Sequence, residues 1–193
     1  MKFLLALLLL IVASMGAALI FLSGDWSVAR SGQVPGAPAE VHAVVENLST
    51  WPNWSYWSKE TDPEASFTFT GPASGPGCTW SWVSEGELGS GTMKVVSSSV
   101  EEGMCYAIEA EGMTLEGKVL CVASEGGTRV VFSSEGSLGG AQKLMAPLID
   151  RFVGPSYESS VQGLAAYVSA NAGQAASNDG AAGADPAGAP AQD

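Results

Sequence analysis

Basic charge is scarce in this chain: 8 lysines and arginines face 20 aspartates and glutamates, giving a formal charge of −12 over 193 residues. That sign excludes a general grip on nucleic-acid phosphates. There is one histidine, His42, and the three cysteines contain no C-x-x-C pair, so the common zinc and thiol-redox spacings are missing. No G-x-S-x-G, H-E-x-x-H or Walker pattern occurs, and the Gly71–Gly77 loop carries prolines where a phosphate cradle needs amide donors. No catalytic group, metal or cofactor is therefore expected. Charged residues make up only 15%, against 46% hydrophobic residues and 24 glycines. Such a chain is too apolar for disorder and too poor in charge for a solvated helical bundle; it suits a membrane segment joined to a glycine-punctuated β domain.

The hydrophobic excess is concentrated first at the N-terminus, where Phe3 to Leu22 form twenty residues without a charge. At 1.5 Å per residue such a helix reaches roughly 30 Å, the thickness of a bilayer's hydrocarbon core. Two readings fit, an uncleaved anchor and a secretory signal with small residues Ser14 and Gly16 near its cleavage site. The anchor is preferred, because cleavage there leaves Leu19-Ile20-Phe21-Leu22 exposed on the mature protein. Lys2 and the terminal amine on one flank outweigh Arg30 on the other, so the domain is expected outside the cytoplasm, in a periplasmic or cell-surface setting. An oxidising compartment permits a disulfide between Cys105 and Cys121, which are equidistant from Met113, but three small buried thiols are the preferred reading. From Asn171 onward only Ala, Gly, Asn, Ser, Gln, Pro and three aspartates remain, a composition expected to stay disordered. The chain thus divides into a membrane segment at 1–23, a globular domain at 24–170 and a tail at 171–193.

Within the domain, Trp26–Val34 alternates like a strand and stops at Pro35-Gly36. Pro38 then opens a short helix whose Val41, Val44, Val45 and Leu48 share one face, with His42 beside that stripe and expected near the surface. A Trp51-Pro-Asn-Trp54 turn follows. Six period-2 stretches come next: 66–70, 78–84, 92–98, 104–111, 115–124 and 129–134, separated by glycine-rich connectors that predict consecutive antiparallel hairpins. Gly139–Ala170 keeps helical spacing across a break at Gly154-Pro155. A strand, a helix, six strands and a closing helix make an α+β layout in which one sheet face covers the terminal helix. Alternation turns Phe67, Phe69, Trp80, Trp82, Met93, Val95, Met104, Tyr106, Ile108, Leu120, Val122, Val130 and Phe132 toward that helix. Glu116 and Lys118 share the parity of Leu120 and are expected on the same side.

In this order, Trp51-Pro-Asn-Trp54-Ser, Gly71-Pro-Ala-Ser-Gly-Pro-Gly77-Cys-Thr-Trp80-Ser-Trp82, Gly89-Ser-Gly91-Thr-Met93, Gly127-Thr-Arg129-Val130 and Met145…Gly154-Pro155…Gly163-Leu164 resemble the polyketide cyclase/dehydrase-like branch of the START/Bet v1 (SRPBCC) superfamily. The resemblance spans Trp26 to Ala170. It implies a helix-grip fold, with about seven curved antiparallel strands around a long C-terminal helix and an apolar cavity for a lipid, isoprenoid or polyketide-like molecule.

The expected cavity wall is Trp54, Phe67, Phe69, Trp80, Trp82, Met93, Tyr106, Ile108, Leu120, Phe132 and Phe152, with the Tyr106 phenol as its polar group. The expected partners are a small hydrophobic ligand and, through the N-terminal helix, the membrane. Two other functions are left open: a protein-interaction module with a filled core, and an enzyme of cyclase or dehydratase type using Tyr106 or an inward carboxylate for proton transfer.

Overall fold

The computed structural model describes residues 3–7, 10–11, 14, 16, 23–110 and 113–182. Much of the proposed membrane segment lies outside them, as do the last eleven residues of the chain. Among the described residues no helix is long and apolar enough to cross a membrane.

The domain is built on one sheet of seven strands: β1 Asp25–Val34, β2 Ser66–Thr70, β3 Thr79–Val83, β4 Ser90–Ser99, β5 Gly103–Ala110, β6 Met113–Ser124 and β7 Gly127–Ser137. Their spatial order is β1-β7-β6-β5-β4-β3-β2, antiparallel throughout. Consecutive hairpins run from β2 to β7, and β1 returns to close against β7. Gly103 and Gly126 occupy the left-handed backbone region at the β4–β5 and β6–β7 turns, where any side chain would be strained. The short helix, Pro38–Val45, opens with proline, and the Glu40 carboxylate accepts the Ala37 amide at 2.9 Å. It is followed by a 3-10 turn, Leu48–Asn53, in which the Asn47 side chain accepts the Ser49 amide at 3.2 Å. A second 3-10 segment, Gly140–Leu148, leads into the long helix, Ile149–Ala182.

That helix is continuous through Gly154-Pro155, where a break is expected from sequence, and it runs past Ala170 to Ala182. It lies mainly along β1. Arg30 on β1 holds its first turns: the guanidinium donates to Asp150 at 2.8 and 3.0 Å and to Glu158 at 2.6 Å. Two glycines let backbones meet. A Cβ on Gly32 would overlap Val161, and one on Gly163 would overlap the Trp54 carbonyl.

The inner face follows the predicted parity on β3, β4, β5 and β7, where Trp80, Trp82, Met93, Val95, Met104, Tyr106, Ile108, Val130 and Phe132 are buried. On β6 the parity is reversed. Val119 and Cys121 are buried, Leu120 is half-buried and Val122 is exposed, so Glu116 and Lys118 also face outward. Val119-Leu120-Cys121-Val122 is apolar in both parities and carries no alternation. The register is set instead by the hairpin, which pairs Tyr106 with Gly117, and the Tyr106 ring fills the space a Gly117 side chain would take. The same register places Cys105 opposite Lys118 on the outer face and Cys121 opposite Val130 on the inner face. The cysteines cannot bridge, and all three are free thiols.

His42 is buried, not at the surface as expected. A bulge in β4 between Val95 and Ser97 flips the strand's parity and brings Ser98 under the short helix. Ser98 donates to Glu46 at 3.0 Å, so the His42 Nε2–H donates to Ser98 Oγ at 2.9 Å.

Gly163 gives a test in which two effects oppose one another. Alanine is better than glycine in a helix by about 1 kcal/mol. The overlap with the Trp54 carbonyl involves backbone that cannot yield, so Gly163→Ala is expected to lower stability by about 1–3 kcal/mol in urea unfolding.

Candidate functional site

The space between sheet and helix is occupied by aromatic rings delivered from five elements. The 3-10 turn with its C-terminal cap supplies Trp51 and Trp54, β3 supplies Trp80 and Trp82, β5 Tyr106, β7 Phe132 and the long helix Tyr157; each is at most 4% exposed. Trp51 is central. Its ring centroid lies 4.8 Å from Trp54, 6.0 Å from Trp80, 6.1 Å from Tyr106 and 6.0 Å from Phe132, mostly edge-on, the geometry aromatic quadrupoles prefer. Phe132 in turn contacts Tyr157 at 5.6 Å.

Most polar atoms of these rings are satisfied. The Trp51 indole donates to the Val45 carbonyl at 2.8 Å, Trp54 to Thr50 Oγ1 at 3.0 Å and Trp82 to the Leu88 carbonyl at 3.1 Å. The phenols of Tyr106 and Tyr157 bond each other at 3.1 Å. Four buried side-chain atoms have no hydrogen-bond partner among the described residues, His42 Nδ1, Ser55 Oγ, Ser134 Oγ and the Trp80 indole N–H, and only the last belongs to these rings. An orphaned buried donor or acceptor costs on the order of 1–3 kcal/mol, so each is a point where a polar atom would be welcomed.

Of the residues expected to line a cavity, Trp54, Trp80, Trp82, Met93, Tyr106, Ile108 and Phe132 are brought together inside. Phe67 is half-buried and 5.6 Å from Trp80; Phe69, on the edge strand, is 38% exposed and stacks on Trp80 at 6.0 Å. Leu120 is excluded by the β6 register. Phe152 is 63% exposed and does not face the interior. The helix buries a stripe through Val153, Tyr157, Val161 and Leu164, and Phe152 stands one residue off it. Two central residues were not selected as lining from sequence, Trp51 and Tyr157. Tyr157 was available from helical spacing, four residues from both Val153 and Val161. Trp51 had no periodic signal, since it lies in the turn.

Two open depressions mark the surface. One of about 440 Å³ crosses the outer face of the sheet between Ser27, Cys105, Glu116, Lys118 and Glu135. The other, about 750 Å³, runs between the 52–61 loop and the long helix, bounded by Tyr56, Lys59, Pro155, Gln162 and Tyr167. Trp54 lines this second groove and also touches Trp51, so it separates the groove from the interior by one ring.

The helix-grip architecture, a seven-stranded antiparallel sheet with a long C-terminal helix over an aromatic face, defines the structural class. The chain belongs to the family described as polyketide cyclase / dehydrase and lipid transport, which matches residues 25–169. Among curated proteins no sequence matches significantly. Solved structures share the fold at low identity. A point mutant of norcoclaurine synthase from Thalictrum flavum, bound to a transition-state analogue, is 14% identical with a TM-score of 0.59, covering 77% of this chain and 97% of that one. Ara h 8.0201 is 16% identical with a TM-score of 0.56, covering 76% and 99%. The di-domain ARO/CYC StfQ of the steffimycin biosynthetic pathway is 12% identical with a TM-score of 0.58, covering 79% of this chain and 52% of that one.

The tyrosine pair makes the interior sensitive to substitution and to alkali. Tyr157→Phe strands the Tyr106 hydroxyl and is expected to cost about 1–3 kcal/mol, whereas Tyr106→Phe/Tyr157→Phe costs less than the two single changes added together. Burial lifts Tyr106 well above the usual phenol value of 10.0 and raises Tyr157 as well, the latter partly offset by the Tyr106 hydroxyl. Below that value both folded and unfolded chains hold these protons. Above it the unfolded chain releases them first, so stability falls with rising pH, by up to about 1.4 kcal/mol per pH unit for each phenol. Urea midpoints between about pH 9 and 11 are expected to drop in the native chain and to drop less steeply in the double phenylalanine variant.

Proposed function

We propose that this chain is a binding protein for a small hydrophobic molecule, of lipid, isoprenoid or polyketide-like class, held at a membrane by its N-terminal segment with the domain outside the cytoplasm. The observation that carries the binding reading is the buried, unpartnered indole N–H of Trp80 set among aromatic rings. An aromatic wall with one spare donor suits an apolar body that bears a carbonyl, ester or hydroxyl oxygen. The family description, with its reference to lipid transport, supports the same reading. Anchoring rests on the uncharged run from Phe3 to Leu22.

Size follows from what must be displaced. Trp51 occupies the centre of the interior, and an indole buries roughly 200 Å², worth about 5 kcal/mol at 25 cal/mol per Å². A guest that takes its place must bury at least as much apolar area, which points to a molecule larger than an indole. Trp51 lies on the 3-10 turn and Trp54 caps its C-terminal end, and Trp54 walls the groove beside the long helix, so movement of that turn with its cap would open a path from groove to interior.

The filled interior also supports the second reading, a protein-interaction module. A catalytic reading, of the cyclase or dehydratase kind named by the family, would rest on Tyr106; its raised pKa makes the phenol a hydrogen-bond donor rather than a base at neutral pH.

The test is to extract the full chain from membranes, identify co-purifying small molecules by mass spectrometry, and titrate it with fatty acids, sterols and polyprenols while following tryptophan fluorescence. One class is expected to bind, and Trp80→Phe is expected to weaken it about tenfold by removing the donor. A chain that carries nothing and shows no fluorescence change with any class overturns the proposal in favour of the interaction module.

A further inference from the structure

Four large apolar side chains around the start of the long helix stand in the open: Leu144 is 38% exposed, Met145 45%, Leu148 43% and Phe152 63%. On the sheet, by contrast, Phe69, Val83, Val96 and Val122 are exposed on four different strands. Scattered exposure of that kind is ordinary on a soluble surface, whereas four large residues within nine positions are not. The stretch Gly139–Ile149 holds Lys143 and contains no carboxylate, although the chain has 20 of them, and the one carboxylate within the stripe, Asp150, is paired with Arg30.

The position of this stripe relative to the N-terminus indicates its partner. The Leu138 amide donates to the Gly24 carbonyl at 2.9 Å, and a Cβ on Gly24 would overlap the Leu138 carbonyl and crowd the Lys143 side chain. The chain therefore enters β1 beside the base of the stripe. The uncharged run ends at Leu22, two residues earlier, and two extended residues span only about 7 Å. A membrane segment that ends there holds this corner of the domain at the bilayer surface.

We propose that Leu144, Met145, Leu148 and Phe152 form a membrane-seating surface, inserting between the headgroups and upper acyl chains of the bilayer that anchors the chain. The proposal rests on the reading of Phe3–Leu22 as a membrane segment given above. The bond is apolar rather than electrostatic, because a domain this acidic is repelled by anionic headgroups. Seating fixes the domain's orientation as well as its distance, which a two-residue tether alone does not do.

The experiment uses the full chain reconstituted in phosphatidylcholine vesicles containing a phosphatidylcholine with a diazirine on its acyl chain, followed by photolysis and peptide mapping. Label is expected on the N-terminal run and on residues 140–152, and not on β3 or β4. In a Leu148→Glu/Phe152→Glu variant, whose two sites are exposed and leave the circular dichroism unchanged, label on 140–152 is expected to fall about tenfold while label on the N-terminal run persists. Label on the N-terminal run with none on 140–152 overturns the seating surface and leaves the anchor standing. No label on either overturns the anchor reading, and the seating surface with it.

Discussion

Trp51 lies within 6.1 Å, centroid to centroid, of rings on β3, β5 and β7, and its indole N–H is tied to the last residue of the short helix. Three strands, a turn and a helix must therefore all be in place before this ring finds its contacts. Rings that meet edge-on at these distances tolerate little slippage, and a one-residue shift of any strand would turn its aromatic to the other face. The Gly117–Tyr106 interlock protects β5 and β6 against that slip, because only the observed register puts a residue without a side chain beneath the phenol. The rest of the domain is arranged around this constraint: Gly163 lets the helix approach the Trp54 backbone, and Arg30 clamps the helix's first turns to β1.

Much of this frame is legible in the sequence, for reasons specific to each element. Strand β1 and the short helix begin within a residue of where alternation and Pro38 place them, and the hairpins fall between glycine-rich connectors as expected. The inner face is readable on β3 because Trp80 and Trp82 alternate with Thr79, Ser81 and the exposed Val83. It is unreadable on β6, where four consecutive apolar residues offer both parities and the pairing of Gly117 with Tyr106 on the neighbouring strand decides. The burial of His42 depends on a bulge beside Ser98, 56 residues along the chain, and no local pattern announces it. Phe152 belongs to a different case. The helix carries more apolar residues than its buried stripe needs, and periodicity alone does not say which will be left outside.

The distribution of polar groups separates the interior from the exterior chemically. Buried polar side chains on the inner side are hydroxyls, an indole N–H and the His42–Ser98–Glu46 relay at the edge of the short helix. Carboxylates lie mostly on the outer face and in the connectors, and three of the best-held, Asp62, Asp150 and Glu158, serve the fold: Asp62 accepts from Ser84 and Leu88, while the other two hold Arg30. An interior of this kind can select a molecule by shape and by one or two hydrogen bonds. Proton transfer asks for a group that changes charge near neutral pH, and burial moves the two interior phenols away from that range.

Phe152 of the seating surface and one wall of the groove lie on the same helix, and their spacing bears on how a hydrophobic guest would travel. Pro155, at the near end of the groove, follows Phe152 by three residues, about 4.5 Å along the axis and roughly 60° around it. A domain seated through Phe152 would therefore present the groove's entrance to the interfacial region of the bilayer rather than to open water. Hydrophobic molecules reside in that region, and water is a barrier to them: each methylene crossing it costs about 0.8 kcal/mol. On the proposed reading, a carrier that loads without exposing its guest to water avoids this barrier. On this view the closed aromatic interior and the exposed apolar stripe are two parts of one arrangement, because a binding site filled by its own side chains stays shut in water and exchanges contents only where the guest is already waiting.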